Sequence, residues 1–142
     1  MRTHEKVSVL IIDDSEAVLM QAKRALTAAG FNVITTTQTV GAEQYVASCE
    51  IVMIDYFMPG FNGKWVLDSL KQIAKTNGHV PLFYLYTSNG LMGSRYADLG
   101  FDGSFSYKGD QDSLVTQVKS AIRPRELLRL RGQTPDQSRP TR

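Results

Sequence analysis

The chain has 142 residues, 42% of them hydrophobic and 21% charged, with a single cysteine. That size suits one domain with one core, no apolar run approaches the ~20 residues a membrane span needs, and the lone Cys49 excludes an internal disulfide framework. The formal net charge of +2 is unevenly placed: residues 1–122 carry ten Lys/Arg against twelve Asp/Glu, and residues 123–142 carry six Arg against two acids.

The N-terminal MRTHEKVSVL has no long apolar block before a small-residue cleavage site, so secretion is not expected. One cysteine fits a reducing compartment, and the expected location is the cytoplasm. Cys49 itself reads as a small apolar filler before the strand that follows it.

Val7 to Ile12 (VSVLII) is a short, β-rich apolar run that stops at Asp13-Asp14-Ser15 and reads as a buried strand. A helix is expected from about Ser15 to Ala29, ended by Gly30, with Val18, Ala22, Ala25, Leu26 and Ala29 as its core stripe. On that assignment Leu19 and Met20 lie off the stripe. Phe31 to Thr36 is the second strand, and Thr39 is a plausible N-cap for a helix running to about Ser48.

Ile51 to Gly63 reads IVMIDYFMPGFNG. Four apolar residues running into Asp55, then stopped at Pro59-Gly60, indicate a strand buried on both faces. Asp55 sits where the chain leaves the sheet, and a carboxylate there is costly to desolvate unless something compensates it. A third helix is expected from about Asn62 to Thr76, with Val66, Leu67, Leu70, Ile73 and Ala74 inward. Pro81 opens the fourth strand, Leu82 to Thr87, where a first-position proline is tolerated. Residues 88–100 are weakly helical because Gly90 and Gly93 each cost roughly 1 kcal/mol relative to Ala. Asp102 to Tyr107 is the fifth strand, and a last helix runs from about Gln111 to Ile122.

Five alternations of strand and helix argue for an α/β domain with a doubly wound parallel sheet. No Gly-x-Gly-x-x-Gly follows the first strand and no phosphate-cradling glycine loop is present, so the expected order is flavodoxin-like, 2-1-3-4-5, in a (βα)5 fold. Ligands of such sheets bind outside the carboxyl ends of the strands. There the sequence places Asp13 and Asp14 after strand one, Asp55 after strand three, Thr87 and Ser88 after strand four, and Lys108 after strand five. Any one of the carboxylates could simply cap a loop or helix. Together they form a cluster whose mutual repulsion a hard divalent cation such as Mg²⁺ relieves. A lysine and a hydroxyl on the far side suit the oxygens of a phosphoryl group, and a carboxylate is free to act as nucleophile.

With these residues in hand, the chain resembles the receiver domain of two-component response regulators, the family of the chemotaxis regulator. The resemblance rests on Asp13-Asp14-Ser15, on Asp55-x-x-Met58-Pro59-Gly60-x-x-Gly63, on Thr87-Ser88, on Ala97-x-x-Gly100 and on Lys108, spread over about residues 6–122. It implies that Asp55 accepts a phosphoryl group from a phosphohistidine on a sensor histidine kinase or histidine phosphotransfer protein. It implies Mg²⁺ held by Asp13, Asp14, Asp55 and the backbone carbonyl of Phe57. It gives Thr87 and Lys108 to the phosphoryl oxygens, Thr87 and Phe105 to the switch, and Leu19 and Met20 to partner docking. The downstream protein target is not named by it. The family usually carries Lys-Pro with a cis peptide where this chain has Lys108-Gly109; a cis bond to a non-proline residue costs about 2.5–4 kcal/mol, so a trans or differently shaped turn is expected.

The implied protein is a signalling module, an enzyme only toward its own phosphorylation and dephosphorylation. With no output domain in the sequence, its signal is expected to act through another protein or to pass on as phosphate. The alternative is an atypical receiver that binds partners independently of phosphorylation. A hydrolase using an Asp nucleophile on strand one wants a second acid two residues later, where Ser15 stands.

Three further features have bland readings. Trp65 is off the third helix's stripe and reads first as packing on a neighbouring loop, second as a partner contact. His79 precedes strand four, at the opposite end of the sheet from the carboxylates, and His4 lies in the N-terminal tail. Residues 123–131 read as a basic helical extension and 132–142 as a disordered tail. The tail has no helix-turn-helix and no aromatic platform for nucleic acid; Leu127, Leu128 and Leu130 offer a partner or dimer contact as the second reading.

Overall fold

The structure, a computed structural model, describes residues 7–37, 41–58, 61–88, 90–106, 108 and 110–130, with only the backbone at 57–58, 61–62 and 129–130. The β-rich runs form strands β1 (Ser8–Ile12), β2 (Asn32–Thr36) and β3 (Ile51–Ile54), a two-residue hairpin β4 (Phe57–Met58) and β5 (Phe61–Asn62), and strands β6 (Leu82–Tyr86) and β7 (Gly103–Phe105). Five of them make one parallel sheet in the order β2-β1-β3-β6-β7, the expected 2-1-3-4-5 order. All four residues of β3 are buried, as are four of the five in β1. That explains why these runs show no polar alternation: each face of the sheet carries its own core.

One core joins Val9, Ile11, Met53, Tyr86 and Phe105 to the helices α1 (Glu16–Ala28) and α6 (Gln111–Leu130). The other joins Leu10, Ile12, Val52, Ile54, Phe83 and Leu85 to α2 (Glu43–Val46) and α3 (Gly63–Asn77). Two short helices, α4 (Gly90–Ser94) and α5 (Tyr96–Leu99), stand where the weakly helical stretch was expected, broken at Arg95. Lys64 and Lys71 of α3 reach across to the carbonyls of Leu99 and Gly100 and so cap the C-terminal end of α5.

Two expectations change. The expected α1 stripe holds at Ala22 and Leu26, with Val18 and Ala29 partly buried against the same core, but Leu19 joins it at 5% exposure and is unavailable for docking. The buried face of α1 is wider than the expected stripe, and burying a leucine side chain contributes about 1.5–3 kcal/mol, which favours turning Leu19 inward. α2 has one turn, Glu43–Val46, and its expected cap Thr39 lies outside the described residues. The loop after β3 also carries a short antiparallel pairing, Phe57–Met58 with Phe61–Asn62, which the sequence reading did not include. The helical extension expected beyond Ile122 continues the last helix: α6 runs through Pro124 to Leu130, and Arg125 meets Glu50 at 3.7 Å. Residues 131–142, including the expected disordered tail, lie outside the described residues. Among the described residues no helix is long and apolar enough to cross a membrane.

Candidate functional site

The parallel ladder itself brings the acids together. Asp55 N–H donates to the Ile12 carbonyl at 2.9 Å, and Asp13 N–H donates to the Thr36 carbonyl at 3.2 Å. Asp13 and Asp55 therefore extend neighbouring strands by one residue, and their side chains emerge at one edge. Carboxylate oxygens of Asp13, Asp14 and Asp55 lie within 4.8 Å of one another. Asp13 and Asp55 are buried, at 1% and 5% exposure, and Asp14 faces solvent.

Helix capping is done by a different residue. The Ser15 hydroxyl accepts from Val18 N–H at 3.2 Å, and Asp13 Oδ1 accepts from Ser15 N–H at 2.9 Å. Asp13 Oδ2 is then left facing Lys108, whose Nζ is 2.5 Å away and lies 3.3 Å from Asp55 Oδ1. The contact of Asp13 Oδ2 with Lys108 supplies counter-charge without hydrogen-bond alignment, so this buried oxygen accepts no aligned hydrogen bond. Three hard oxygen donors, one on the solvent side and one with unused acceptor capacity, fit a hard divalent cation such as Mg²⁺.

Gly63 explains part of the motif after Asp55. Its N–H donates to the Tyr56 carbonyl at 2.9 Å, which starts α3 close against the exit of β3. A Cβ at position 63 would lie 2.8 Å from Tyr56 Cα and 3.1 Å from the Asp55 carbonyl oxygen, so no larger residue fits there without moving the backbone that carries Asp55.

Thr87 is buried at the end of β6, the strand next to β3. A Cβ placed on Gly93 of α4 would meet Thr87 Cγ2 at 3.9 Å and Ser104 Oγ at 3.6 Å, so α4 passes Thr87 closely. Phe105 is buried and stacked on Tyr84, with ring centroids 4.4 Å apart. Tyr84 in turn covers Gly103, where a Cβ would come within 2.5 Å of the ring. Burial, then the nearby Asp102 and Tyr96, pushes the Tyr84 hydroxyl pKa up.

Asp13, Asp14, Asp55 and Lys108 thus meet in one pocket, with Thr87 at the adjoining strand end. The side chain of Phe57 lies outside the described residues, as do Tyr107 and Gly109, so the turn expected after Lys108 lies there too. Met20 is 59% exposed, and Trp65 is 56% exposed on α3. Cys49 is fully buried, and burial, ahead of any other influence, pushes its thiol up to about 11, which suits a filler and not a nucleophile. His79 is spent on the Cys49 carbonyl, 2.8 Å from its Nε2.

Two contacts were not legible in the sequence. The Tyr86 ring centroid is 5.0 Å from Lys108 Nζ. Gln117 of α6 makes a reciprocal pair with the backbone of Ser106, accepting its N–H and donating to its carbonyl, both at 3.0 Å. Both join residues remote in sequence, and no local pattern announces either.

The sequence matches the family described as the response regulator receiver domain over residues 9–119. No curated protein sequence matches the chain. Among solved structures, it is similar to a CheY-like response regulator receiver domain protein from Methanospirillum hungatei JF-1, with 16% identity, coverage of 87% of this chain and 98% of that one, and a TM-score of 0.71. A receiver domain protein from Clostridium thermocellum is 22% identical, covering 86% and 98% of the two chains at a TM-score of 0.68. The chemotaxis response regulator CheY4 of Vibrio cholerae is 17% identical, with 82% and 98% covered and a TM-score of 0.68. At these identities the neighbours speak for the fold; the family match covers most of the chain. The chain belongs to the response regulator receiver domain family, and is a phosphoacceptor-type signalling module rather than a conventional enzyme.

Proposed function

We propose that Asp55 is the phosphoacceptor of a histidine-to-aspartate relay. The observation that carries this reading is the convergence of Asp13, Asp14 and Asp55 within 4.8 Å, with Lys108 Nζ 2.5 Å from Asp13 and 3.3 Å from Asp55. A carboxylate oxygen of Asp55 attacks the phosphorus of a phosphohistidine on a sensor kinase or phosphotransfer protein. The P–N bond breaks, the imidazole nitrogen leaves with the electron pair, and an acyl phosphate forms on Asp55. Lys108 and the Thr87 hydroxyl bind the phosphoryl oxygens, as their places beside Asp55 favour.

Mg²⁺ would be held by Asp13, Asp14, Asp55 and the carbonyl of Phe57, and when bound it supplies charge neutralisation at the phosphoryl oxygens. Asp13 contributes the buried oxygen that accepts no aligned hydrogen bond, and Asp14 the solvent-facing one. Occupancy is passed from Thr87 to α4, which packs Gly93 against it, and to Phe105, whose hydroxyl-free ring couples by packing alone. Met20, exposed on α1 after the acidic pair, is the proposed docking contact for the phosphodonor. The receiver unit is assigned to residues 6–122, followed by a basic extension over residues 123–131. A cytoplasmic location and a downstream protein target belong to the same reading. A module that binds partners without phosphorylation has less support, because it leaves the assembled acids and lysine without a task.

Trp65, on α3 one turn beyond the loop after Asp55, is the reporter. Addition of Mg²⁺ and then acetyl phosphate is expected to change its fluorescence in two steps. Asp55→Ala should abolish the second step; a second step that survives this substitution would remove Asp55 from the role.

A further inference from the structure

Lys108 reaches the acids from beyond the paired strands. It lies beyond the last residue of the three-residue strand β7, and the next residue in sequence is Gly109, the type that restricts a backbone least. Yet its Nζ stands 2.5 Å from Asp13 Oδ2 and 3.3 Å from Asp55 Oδ1, and its side chain is only 13% exposed. A lysine has a long flexible stem and a compact charge, so it does not select one geometry by itself. The carboxylates attract it, but attraction from two acids and from a third nearby leaves several positions open. A contact outside the acidic cluster would narrow them.

The Tyr86 ring is the group in place to do so. Its centroid is 5.0 Å from Nζ, within the range over which an aromatic face attracts an ammonium. Tyr86 is the last residue of β6, 2% exposed and packed into the core beneath α1 and α6. It is therefore fixed by the sheet, as Lys108 is not. A leucine or valine would fill a core position here too, but neither presents a π face to the cation. Gln117 acts one step back, holding the backbone of Ser106, two residues before Lys108.

We infer that Tyr86 is the positioning residue for Lys108: its ring holds the ammonium at the carboxylates, so that the lysine is aimed before a phosphoryl group arrives. The importance of that aim for phosphorylation rests on the reading of Asp55 as acceptor; the positioning itself does not.

Two measurements on the full chain test the inference, using wild type, Tyr86→Phe and Tyr86→Leu. The first follows the ε-methylene protons of Lys108 by NMR in lysine-labelled protein without Mg²⁺, assigned by their loss in Lys108→Arg. Wild type and Tyr86→Phe should show the upfield displacement of protons above a ring, and Tyr86→Leu should lose it. An undisplaced signal in wild type, or the same signal in Tyr86→Leu, overturns the inference, and the wild-type spectrum decides even if the leucine variant fails to fold. The second follows the rate at which acetyl phosphate and Mg²⁺ modify Asp55. Tyr86→Leu should be about tenfold slower and Tyr86→Phe within about twofold of wild type, the size expected for a buried cation–π contact. Equal slowing in both variants would assign the effect to the hydroxyl and overturn the role of the ring. If wild type takes up no phosphoryl group on Asp55, the acceptor reading fails, and the NMR result still decides what holds Lys108.

Discussion

Asp13 and Asp55 leave neighbouring strands whose register runs unbroken from Val9–Ile51 to Ile12–Ile54, and backbone hydrogen bonds continue one residue further into the site. Lys108 leaves an edge strand of three residues and follows a segment made of two helices of five and four residues. One half of the pocket is therefore held by the sheet. The other is held by side chains: Tyr86 beneath the ammonium, Gln117 on Ser106, and the α3 lysines on the end of α5. Local opening is easiest where backbone pairing is sparse. A signalling domain has use for both properties, a rigid set of acids to hold charge and a less rigid side to respond to it.

Lys108 gives the largest expected effect, because it ties the two halves together. Lys108→Ala leaves the buried Asp13 carboxylate without its counter-charge, an arrangement that costs about 3 kcal/mol or more. The urea midpoint should fall accordingly, and the rate of modification by acetyl phosphate should drop about 10²-fold. An unchanged midpoint would mean that the halves are not coupled through this pair.

Gly63 probes the rigid half alone. Gly63→Ala places a Cβ 2.8 Å from the Tyr56 backbone and should destabilise by about 1–3 kcal/mol, seen as a lower Tm. A wild-type Tm would show that the exit of β3 is softer than its ladder suggests.

Asp14 gives the smallest change in stability. It is exposed, so Asp14→Asn should alter the unfolding free energy by less than ~0.5 kcal/mol. Mg²⁺ affinity, titrated through Trp65 fluorescence, should nevertheless weaken several-fold. Unaltered affinity would remove Asp14 from the ligand set.

The same division governs what could be read from the sequence. The acids were legible because each ends an apolar run, and the strand order puts those ends side by side. Leu19 was misplaced because the buried face of α1 is wide enough to take both Leu19 and Val18, and helical spacing alone does not give that width. The hairpin after β3 was hidden because Pro59-Gly60 announces a turn without saying whether the flanking residues pair. The continuation of α6 through Pro124 was left open because that proline suits the start of a helix as well as an interruption. Tyr86 and Gln117 were not found, since a ring under a lysine and an amide on a distant backbone exist only once the sheet has formed. Sequence periodicity specifies the ladder-held half and says little about contacts between side chains across the fold.

The central claim is that the acids form a phosphoacceptor centred on Asp55. Its most direct test is intact-mass and peptide mapping of the full chain after incubation with acetyl phosphate, with and without Mg²⁺. The account predicts one phosphoryl adduct, dependent on Mg²⁺, located on the peptide containing Asp55 and absent from Asp55→Ala. An adduct that persists in Asp55→Ala, or no adduct under any of these conditions, would contradict it.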